Sequence, residues 1–227
     1  MKLSIIIPVF NEKETILQIL KQIEEIDLND IEKEIIVVDD CSTDGTKEIL
    51  KNLNKYKIFF HEENKGKGAA LKTGYKNATG NIILNQDADL EYDPKSYSDL
   101  LKPILNNETK VVYGSRMLGH HKDMYLSHYL GNKFLTLAAN TLYGCKITDM
   151  ETGYKVFKKE VIENINFKAK RFDFEPEITA KILKKGYKIK EIKIDFNKPR
   201  SFKEGKKITW KDGLKHFLYL IKYRFSD

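Results

Sequence analysis

Short apolar runs alternate with amphipathic segments along the first half of the chain. Such runs predict buried strands, whereas apolar residues three or four positions apart predict helices that cover a sheet. Because strand and helix alternate, the sequence predicts an α/β fold in which a mostly parallel central sheet has helices on both faces. The predicted strands cover residues 3–9, 35–38, 58–60, 82–84 and 111–113, and helices begin near Glu12, Thr46 and Gly68.

The second half of the chain changes in character. Residues 118–145 mix leucine, alanine, tyrosine and histidine with few charges, and residues 209–225 place apolar residues at helical spacing among lysines. A basic amphipathic helix either lies in a membrane interface or packs on its own domain, and we predict interface helices in both segments. A further helix is predicted over 172–185 and a strand over 187–196. No low-complexity linker is present, so residues 1–227 are predicted to form a single domain.

Composition narrows the class of protein. The chain has 227 residues and a net charge of +7, which favours an anionic partner: nucleic acid, a phosphorylated substrate or an anionic membrane surface. Cys41 and Cys145 are the only cysteines, and their spacing indicates neither a disulfide framework nor a zinc site, which fits a reducing cytoplasm. The N-terminal apolar run is short and broken by Pro8, so we predict a strand there rather than a signal peptide. No uncharged apolar run approaches the roughly 20 residues that span a bilayer.

The most informative segment is acidic and directly follows the apolar run at 82–84. If the backbone stays extended there, the side chains of Asp87, Asp89 and Glu91 leave on one side, because strand side chains alternate. Three converging carboxylates repel one another unless Mg²⁺ or Mn²⁺ neutralises them, and these ions also prefer phosphate oxygens. The segment therefore predicts a metal site for a nucleoside diphosphate, with a solvated acidic turn as the alternative.

Polar residues also follow the other predicted strands, where open α/β sheets bind ligands. Asp39 is a candidate acceptor for a nucleobase or ribose, and the loop 64–70 offers backbone N–H groups and two lysines to phosphate. Arg116 is either a phosphate clamp or a surface residue. Asp149 in its polar turn is a general base, an acceptor for a sugar hydroxyl, or a cap. The cationic segment 198–207 could close over an anionic substrate or bind nucleic acid.

Five motifs, taken in order, resemble family 2 glycosyltransferases of the GT-A fold. They are PVFNE at 8–12, VVDDCSTDGT at 37–46, NKGKGAA at 64–70, DADLEYDP at 87–94 and YGSR at 113–116. The later stretches DMETGYKVF, RFDFEPEITAK and EGKKITWKDG resemble the polyprenyl-phosphate branch of this family, of the dolichol-phosphate mannose synthase type. No single motif is specific, but the ordered set is.

The resemblance implies three groups of site residues. The nucleotide sugar would be bound by Pro8, Asn11, Glu12, Asp39, Lys67, Asp87 and Ala88. The metal, Mg²⁺ or Mn²⁺, would be held by Asp87, Asp89 and Glu91, although the family often carries Gln where this chain has Glu91. The catalytic residues would be Asp89, Arg116, Asp149 and Arg200, with the two arginines facing the acceptor phosphate or the leaving diphosphate.

The implied reaction is an inverting, metal-dependent transfer of mannose or glucose, from GDP-mannose or UDP-glucose, to a polyprenyl (dolichyl) phosphate. The enzyme would be peripheral at the cytoplasmic face of the membrane, through its interface helices or a separate membrane-anchoring protein. A lipid phosphate is largely dianionic at neutral pH and needs no protein base, whereas a sugar hydroxyl would need Asp149 or Glu151 as the base.

Three other functions stay open on the sequence alone. The first is a family 2 enzyme that acts on a glycan hydroxyl in cell-surface polysaccharide synthesis, and the Asp149→Asn variant is expected to distinguish the two acceptors. The second is a basic nucleic-acid-binding module, which would place the acidic segment against a polyanion. The third is a non-catalytic scaffold at a membrane surface. The acidic segment makes nucleic acid an unfavourable partner, so none is predicted.

Overall fold

A computed structural model describes residues 1–119, 124–169, 171, 173–197 and 210–226. Seven strands form one sheet: β1 Lys2–Val9, β2 Glu32–Asp39, β3 Lys57–Phe60, β4 Ile82–Asn85, β5 Val111–Ser115, β6 Lys155–Lys158 and β7 Ile189–Lys193. Their order is β3-β2-β1-β4-β6-β5-β7. β6 pairs antiparallel with both of its neighbours, and every other pairing in the sheet is parallel.

Helices cover both faces of this sheet and bury two apolar layers. The helices are α1 Ile16–Glu25, α2 Thr46–Lys51, α3 Lys67–Asn77, α4 Tyr97–Leu105, α5 Leu126–Tyr143, α6 Lys159–Glu163, α7 Phe174–Lys184 and α8 Trp210–Phe225. α1, α2 and α4 contribute to the layer on one face, and α3, α6 and α7 to the layer on the other. β1 shows why both layers form, since Ile5 and Ile7 enter the first layer and Ile6 the second.

The predicted α/β class is confirmed, together with the predicted strands in the first half of the chain. β6 is the one strand of the described sheet that the sequence did not predict. It is short and has lysine at both ends, which is unusual for a strand in the middle of a sheet, yet Lys155, Val156 and Phe157 are all buried. Because β6 runs opposite to its neighbours, its first residue lies at the edge where the parallel strands end. We call this edge the carboxyl edge.

α5 and α8 pack against each other at one side of the sheet. They share a small apolar cluster that includes Leu135, Ala139 and Leu220. The predicted interface segments 118–145 and 209–225 therefore contain one helix each within the described residues, and residues 120–123 lie outside them. None of the described helices combines the length and the hydrophobicity that crossing a membrane requires.

Candidate active site

Asp39 ends β2 at the carboxyl edge and is completely buried. Its Oδ2 accepts a hydrogen bond from the backbone N–H of Ser42 at 3.2 Å. Its Oδ1 is buried and has no hydrogen-bond partner among the described residues. Because an unsatisfied buried acceptor costs about 1–3 kcal/mol, Asp39 is placed to accept a hydrogen bond from a bound ligand.

The loop after β1 is tied to the loop after β2, next to Asp39. Asn11, at a φ of 54°, accepts a hydrogen bond from the N–H of Thr43 at 2.8 Å and donates its own N–H to Ser42 Oγ at 2.9 Å. The N–H of Glu12 donates to Thr46 Oγ1 at 3.0 Å. The structure thus brings Asn11 and Glu12 close to Asp39 at the carboxyl edge. Their contact with a nucleotide stays a prediction.

Pro8 lies in β1 beside Val38 of β2 and is half-buried. It is one residue short of the carboxyl edge, close to the predicted nucleotide pocket. Its contact with a nucleotide stays a prediction.

Asp40 organises the loop that was expected to bind phosphate through its backbone. Asp40 Oδ1 accepts the N–H of Lys65 at 2.9 Å and lies 2.7 Å from His61 Nδ1. Asp40 Oδ2 accepts the N–H of Gly66 at 2.6 Å. Asp40 therefore takes two of the backbone N–H groups of the loop 64–70, those of Lys65 and Gly66. The binding of phosphate by the rest of this loop, at the start of α3, stays a prediction.

The acidic segment turns sharply instead of continuing the strand. β4 ends at Asn85, the chain turns at Ala88 and Asp89, and Leu90 has a φ of 66°. The expectation of an extended backbone over 87–91 was wrong. Ala88 is buried, and Asp89 Oδ1 accepts the N–H of Glu91 at 3.1 Å.

A divalent cation at this segment would need ligands beyond the protein. Among the described residues, no three His, Cys, Asp or Glu side chains are grouped closely enough to hold a metal ion. Mg²⁺ is commonly held by one or two carboxylates, with substrate phosphates and waters completing its shell. Asp87 and Asp89 are half-buried carboxylates near the carboxyl edge, so they fit a site of that kind. The metal roles of Asp87, Asp89 and Glu91 stay predictions.

Lys67, the first residue of α3, is paired with Asp87. Its Nζ lies 2.7 Å from Asp87 Oδ1 and 3.4 Å from Glu175 Oε1. Burial opposes the charged form of Lys67, yet the two carboxylates outweigh it and raise the pKa of the ammonium above its ordinary value. Lys67 is therefore a permanent positive charge beside the acidic segment.

Gly153 allows the segment after Asp149 to approach this pair. A Cβ at Gly153 would collide with Asp87 Oδ2 and press on the ring of Tyr92, so a larger residue here would force the Lys67–Asp87 pair to shift. The N–H of Gly153 donates to the hydroxyl of Tyr92 at 2.9 Å. Glycine in the motif DMETGYKVF thus has a steric reason, which is the close contact between two loops of the site.

Arg116 and Asp149 form a bidentate salt bridge at the carboxyl edge. Arg116 Nε donates to Asp149 Oδ2 and Arg116 Nη2 donates to Asp149 Oδ1, both at 2.7 Å. The N–H of Arg116 also reaches Oδ2 at 3.0 Å, and Asn132 of α5 donates to Oδ1 at 2.7 Å. Each carboxylate oxygen thus accepts two hydrogen bonds, which is its normal capacity.

The environment of this pair keeps Asp149 ionised. Asp149 is completely buried, and burial alone would raise its pKa. The charge and hydrogen bonds of Arg116, with the bond from Asn132, outweigh burial and lower the pKa of this carboxyl below its ordinary value. A carboxylate with its acceptor positions filled is suited to holding Arg116 and poorly suited to taking a proton from a sugar hydroxyl.

Arg116 itself is held on two aromatic rings. Its guanidinium carbon lies 5.3 Å from the ring centre of Phe196 and 6.0 Å from that of Tyr92. The side chain is 12% exposed. These contacts fix the plane of the guanidinium, which is the group that recognises phosphate with paired hydrogen bonds.

Arg200 falls outside the described residues. Asn197, the last described residue before it, donates its N–H to the carbonyl oxygen of Glu91 at 3.0 Å. The role of Arg200 stays a prediction.

Sequence reasoning missed two polar residues near the site, the buried Gln86 and the half-buried Glu191. Gln86 Oε1 accepts the hydroxyls of Tyr97 and Tyr154, each at 2.7 Å, beneath the acidic turn. Glu191 accepts the N–H of Thr148 at 2.8 Å and thereby holds the segment that carries Asp149. Gln and Glu in these positions read as ordinary surface residues, so only the folded arrangement reveals them.

Comparison with known proteins identifies the family of this chain. The sequence model of glycosyl transferase family 2 matches residues 4–165. UDP-N-acetylglucosamine–dolichyl-phosphate N-acetylglucosaminyltransferase of Methanococcus voltae is 30% identical over 192 residues, covering 74% of this chain and 75% of that protein. Dolichol-phosphate mannosyltransferase of Pyrococcus furiosus is 30% identical over 235 residues, covering 98% of this chain but 64% of the relative.

Among solved structures, glucosyl-3-phosphoglycerate synthase from Mycobacterium tuberculosis, in complex with Mn²⁺, UDP and glucosyl-3-phosphoglycerate, has the same fold. Its TM-score is 0.76 at 19% identity, over 100% of this chain and 81% of that chain. The predicted GT-A architecture and the resemblance to the dolichol-phosphate sugar transferase branch are both confirmed. The motifs, the fold and the match of the family model lead to one conclusion: the chain belongs to glycosyl transferase family 2 and is a glycosyltransferase.

Proposed function

We propose that this enzyme transfers a hexose from a nucleoside diphosphate sugar to a polyprenyl phosphate, with inversion at the anomeric carbon and with a divalent cation. The transfer takes place at the cytoplasmic face of a membrane, to which the protein binds peripherally. Two relatives support this acceptor, because their names identify them as transferases to dolichyl or dolichol phosphate.

The observation that carries the proposal is the state of Asp149. Its oxygens accept four hydrogen bonds from Arg116 and Asn132. A glycan hydroxyl would need a base in this region, whereas a phosphate acceptor with a second pKa near 6 is already an anionic nucleophile. The filled acceptor positions of Asp149 therefore favour a phosphate acceptor that Arg116 orients over a hydroxyl acceptor that Asp149 deprotonates.

The nucleotide sugar donor would lie along the carboxyl edge, from Asp39 to Asp87. Asp39 Oδ1 would accept a hydrogen bond from the nucleobase or ribose, and Lys67 would face the diphosphate. Asp87 and Asp89 would hold the divalent cation, which neutralises charge on the leaving diphosphate when bound. The M. tuberculosis structure contains Mn²⁺ and UDP together, which supports this assignment.

The chemistry is a displacement at the anomeric carbon. An oxygen of the acceptor phosphate forms the new bond from the face opposite the diphosphate, and the departing bond leaves its electron pair on the diphosphate. Arg116 would orient the acceptor, and Lys67 would stabilise the leaving group. Catalysis rests on positioning and on fixed positive charge.

The outer faces of α5 and α8 fit a membrane surface. α5 exposes Leu126, Leu130, Phe134 and Leu137 in one stripe, and α8 exposes Leu214, Leu218 and Phe225. The rings of Phe134 and Phe217 lie 5.3 Å apart and join the two helices. Lys133, Lys215, Lys222 and Arg224 are exposed beside these stripes, as expected for helices that bind anionic lipid. Asn132 on the buried side of α5 links this surface to Asp149.

The test presents the purified protein with labelled GDP-mannose, UDP-glucose and UDP-N-acetylglucosamine, each with Mg²⁺ or Mn²⁺. One set of reactions contains polyprenyl phosphate and a second contains glycan acceptors. We expect metal-dependent movement of label into the organic phase with one donor. Transfer only to glycan acceptors would overturn the proposed acceptor, and undiminished transfer in EDTA would overturn the proposed metal dependence.

Membrane binding is tested separately from activity. We expect the double variant Leu130→Ser, Phe134→Ser to bind vesicles of anionic phospholipid at least about tenfold more weakly, since each lost apolar side chain contributes about 1.5–3 kcal/mol when buried. Sedimentation with vesicles measures the binding. Leu17→Ser is the control, because Leu17 is also half-exposed but lies on α1. Equal binding by the double variant and the wild type would contradict the interface assignment.

A further inference from the structure

Lys67 lies between two carboxylates at the carboxyl edge. Its Nζ is 2.7 Å from Asp87 Oδ1, 3.0 Å from Asp87 Oδ2 and 3.4 Å from Glu175 Oε1. The side chains of Lys67 and Asp87 are each 19% exposed, and that of Glu175 is 9% exposed. The chain itself therefore supplies Asp87 with a positive charge at a place that a ligand can reach.

Lys155 holds Glu175 in place through the carboxylate oxygen that does not face Lys67. Lys155 is completely buried, and its Nζ contacts Glu175 Oε2 and the carbonyl oxygens of Met150 and Thr152. These three partners use the three N–H donors of the ammonium. Glu175 consequently cannot follow Lys67 when that side chain moves. Glu175 therefore stays paired with Lys67 when another cation binds Asp87. Lys67 then never becomes an unpaired buried charge, which would be costly.

We propose that Lys67 is a resident cation of the metal site, which neutralises Asp87 until a divalent cation and a nucleoside diphosphate arrive together. Lys67 then turns about its contact with Glu175 and donates to the diphosphate. This inference rests on the proposed function, since it requires a divalent cation at Asp87.

The arrangement couples the two ligands. A divalent cation alone must separate Lys67 from Asp87, and this separation opposes its binding. A diphosphate offers Lys67 a new anionic partner and so removes that opposition. Coupling between two ligands is reciprocal, so each raises the affinity of the other by the same factor. A purely structural ion pair predicts a different result for one measurement, because its removal would leave unchanged the factor by which the nucleotide raises the affinity for Mn²⁺.

The experiment is a Mn²⁺ titration in which electron paramagnetic resonance measures the free ion, with and without UDP or GDP. In Lys67→Met we expect the affinity for Mn²⁺ alone to rise at least about tenfold, since a full positive charge beside the site is lost. The factor by which the nucleotide raises Mn²⁺ affinity falls by at least about tenfold. Lys76→Met is the matched control, because Lys76 is an exposed lysine in the last turn of the same helix, away from the carboxyl edge, and both of its values stay within about twofold of the wild type.

Three outcomes overturn the inference. In the first, the wild type binds Mn²⁺ in the presence of nucleotide, but Lys67→Met without nucleotide binds Mn²⁺ no more tightly than the wild type does. The second is an equal rise in Lys76→Met, which would show a general effect of net charge. The third is a wild type that binds no Mn²⁺ even with nucleotide, and this outcome also removes the proposed metal.

A second variant protects the test against a folding defect. Lys67→Gln keeps a hydrogen-bond donor between Asp87 and Glu175 but carries no charge, and we expect the same direction of change. Circular dichroism confirms that each variant is folded before the titration.

Discussion

Replacing Asp89 by alanine is expected to abolish sugar transfer while the fold is retained. Asp89 is a half-buried carboxylate of the acidic turn, and in the proposed function it helps to hold the divalent cation that stabilises the leaving diphosphate. Loss of such electrostatic stabilisation is worth several kcal/mol in the transition state, so we expect kcat to fall by about 10³ or more. Initial rates of label transfer into polyprenyl phosphate measure the effect.

Asp89→Asn separates the charge of Asp89 from its role in the turn. Asp89 Oδ1 accepts the N–H of Glu91 at 3.1 Å, and asparagine can keep this hydrogen bond. We therefore expect Asp89→Asn to be nearly as inactive as Asp89→Ala. Asp99→Ala on the exposed face of α4 removes a surface carboxylate that pairs with Lys102, and this variant should transfer at the wild-type rate. Substantial activity in Asp89→Asn would show that the turn, and not a metal, explains the requirement for Asp89.

The strands that the sequence predicted correctly share one property, which is that local information is sufficient. The runs at 3–9 and 82–84 consist of side chains that are buried on both faces, so apolar composition alone identifies them. Their carboxyl ends meet because parallel strands end on one side of a sheet. The placement of Asn11, Asp39 and Arg116 near the carboxyl edge therefore followed from the pattern.

β6 was missed because the rule that lysine lies at the surface failed. Lys155 is completely buried, and its charge is compensated by Glu175, which lies 20 residues later in the sequence. The side chain of Glu175 also contacts a second lysine, Lys67. Pairings between distant residues carry no local signal, so a single sequence cannot reveal them.

The details of the loops were unpredictable for a related reason. Leu90 has a left-handed backbone conformation, which leucine rarely adopts, and this conformation ends the extended course assumed for the acidic segment. The backbone donors of Lys65 and Gly66 are taken by Asp40 from a neighbouring loop. In both places, contacts between loops outweigh the preference of the local sequence.

Asp149→Asn is expected to lower both the stability of the protein and the rate of sugar transfer. The reason is the loss of the charge that pairs with Arg116 and not the loss of a general base. Removing one charge of a buried ion pair leaves the other uncompensated, which typically costs about 3–5 kcal/mol. Because Arg116 would lose its fixed orientation, we expect kcat/KM for polyprenyl phosphate to fall by about 10²–10³. Thermal unfolding and transfer assays below the melting temperature of the variant measure the two effects.

Glu177→Gln provides the matched control for stability. Glu177 is completely buried, pairs with Lys181 at 2.8 Å and accepts the N–H groups of Lys168 and Ala169. Its loss should therefore destabilise the protein to a similar degree, yet it has no described contact with Arg116. Retained transfer in Glu177→Gln would assign the lost activity of Asp149→Asn to the site and not to general destabilisation.

Loss of activity in Asp149→Asn cannot by itself distinguish a positioning carboxylate from a general base, because the substitution disturbs Arg116 whichever acceptor is used. The pH dependence of transfer makes this distinction. If the acceptor phosphate is the nucleophile, kcat/KM rises with pH through about 6, the second pKa of a phosphate monoester, in the wild type and the variant alike. Loss of that limb in Asp149→Asn would contradict the positioning role.

The pH dependence of stability follows from the lowered pKa of Asp149. A carboxyl whose pKa is lower in the folded protein stabilises it fully above the unfolded value of about 3.9, and this contribution is lost as the pH falls through the folded value. The difference in unfolding free energy between wild type and Asp149→Asn should therefore be constant above about pH 5 and shrink in stronger acid. A difference that disappeared near neutral pH would mean that Asp149 is not held as an anion by Arg116, and Asp149 would again be a candidate base.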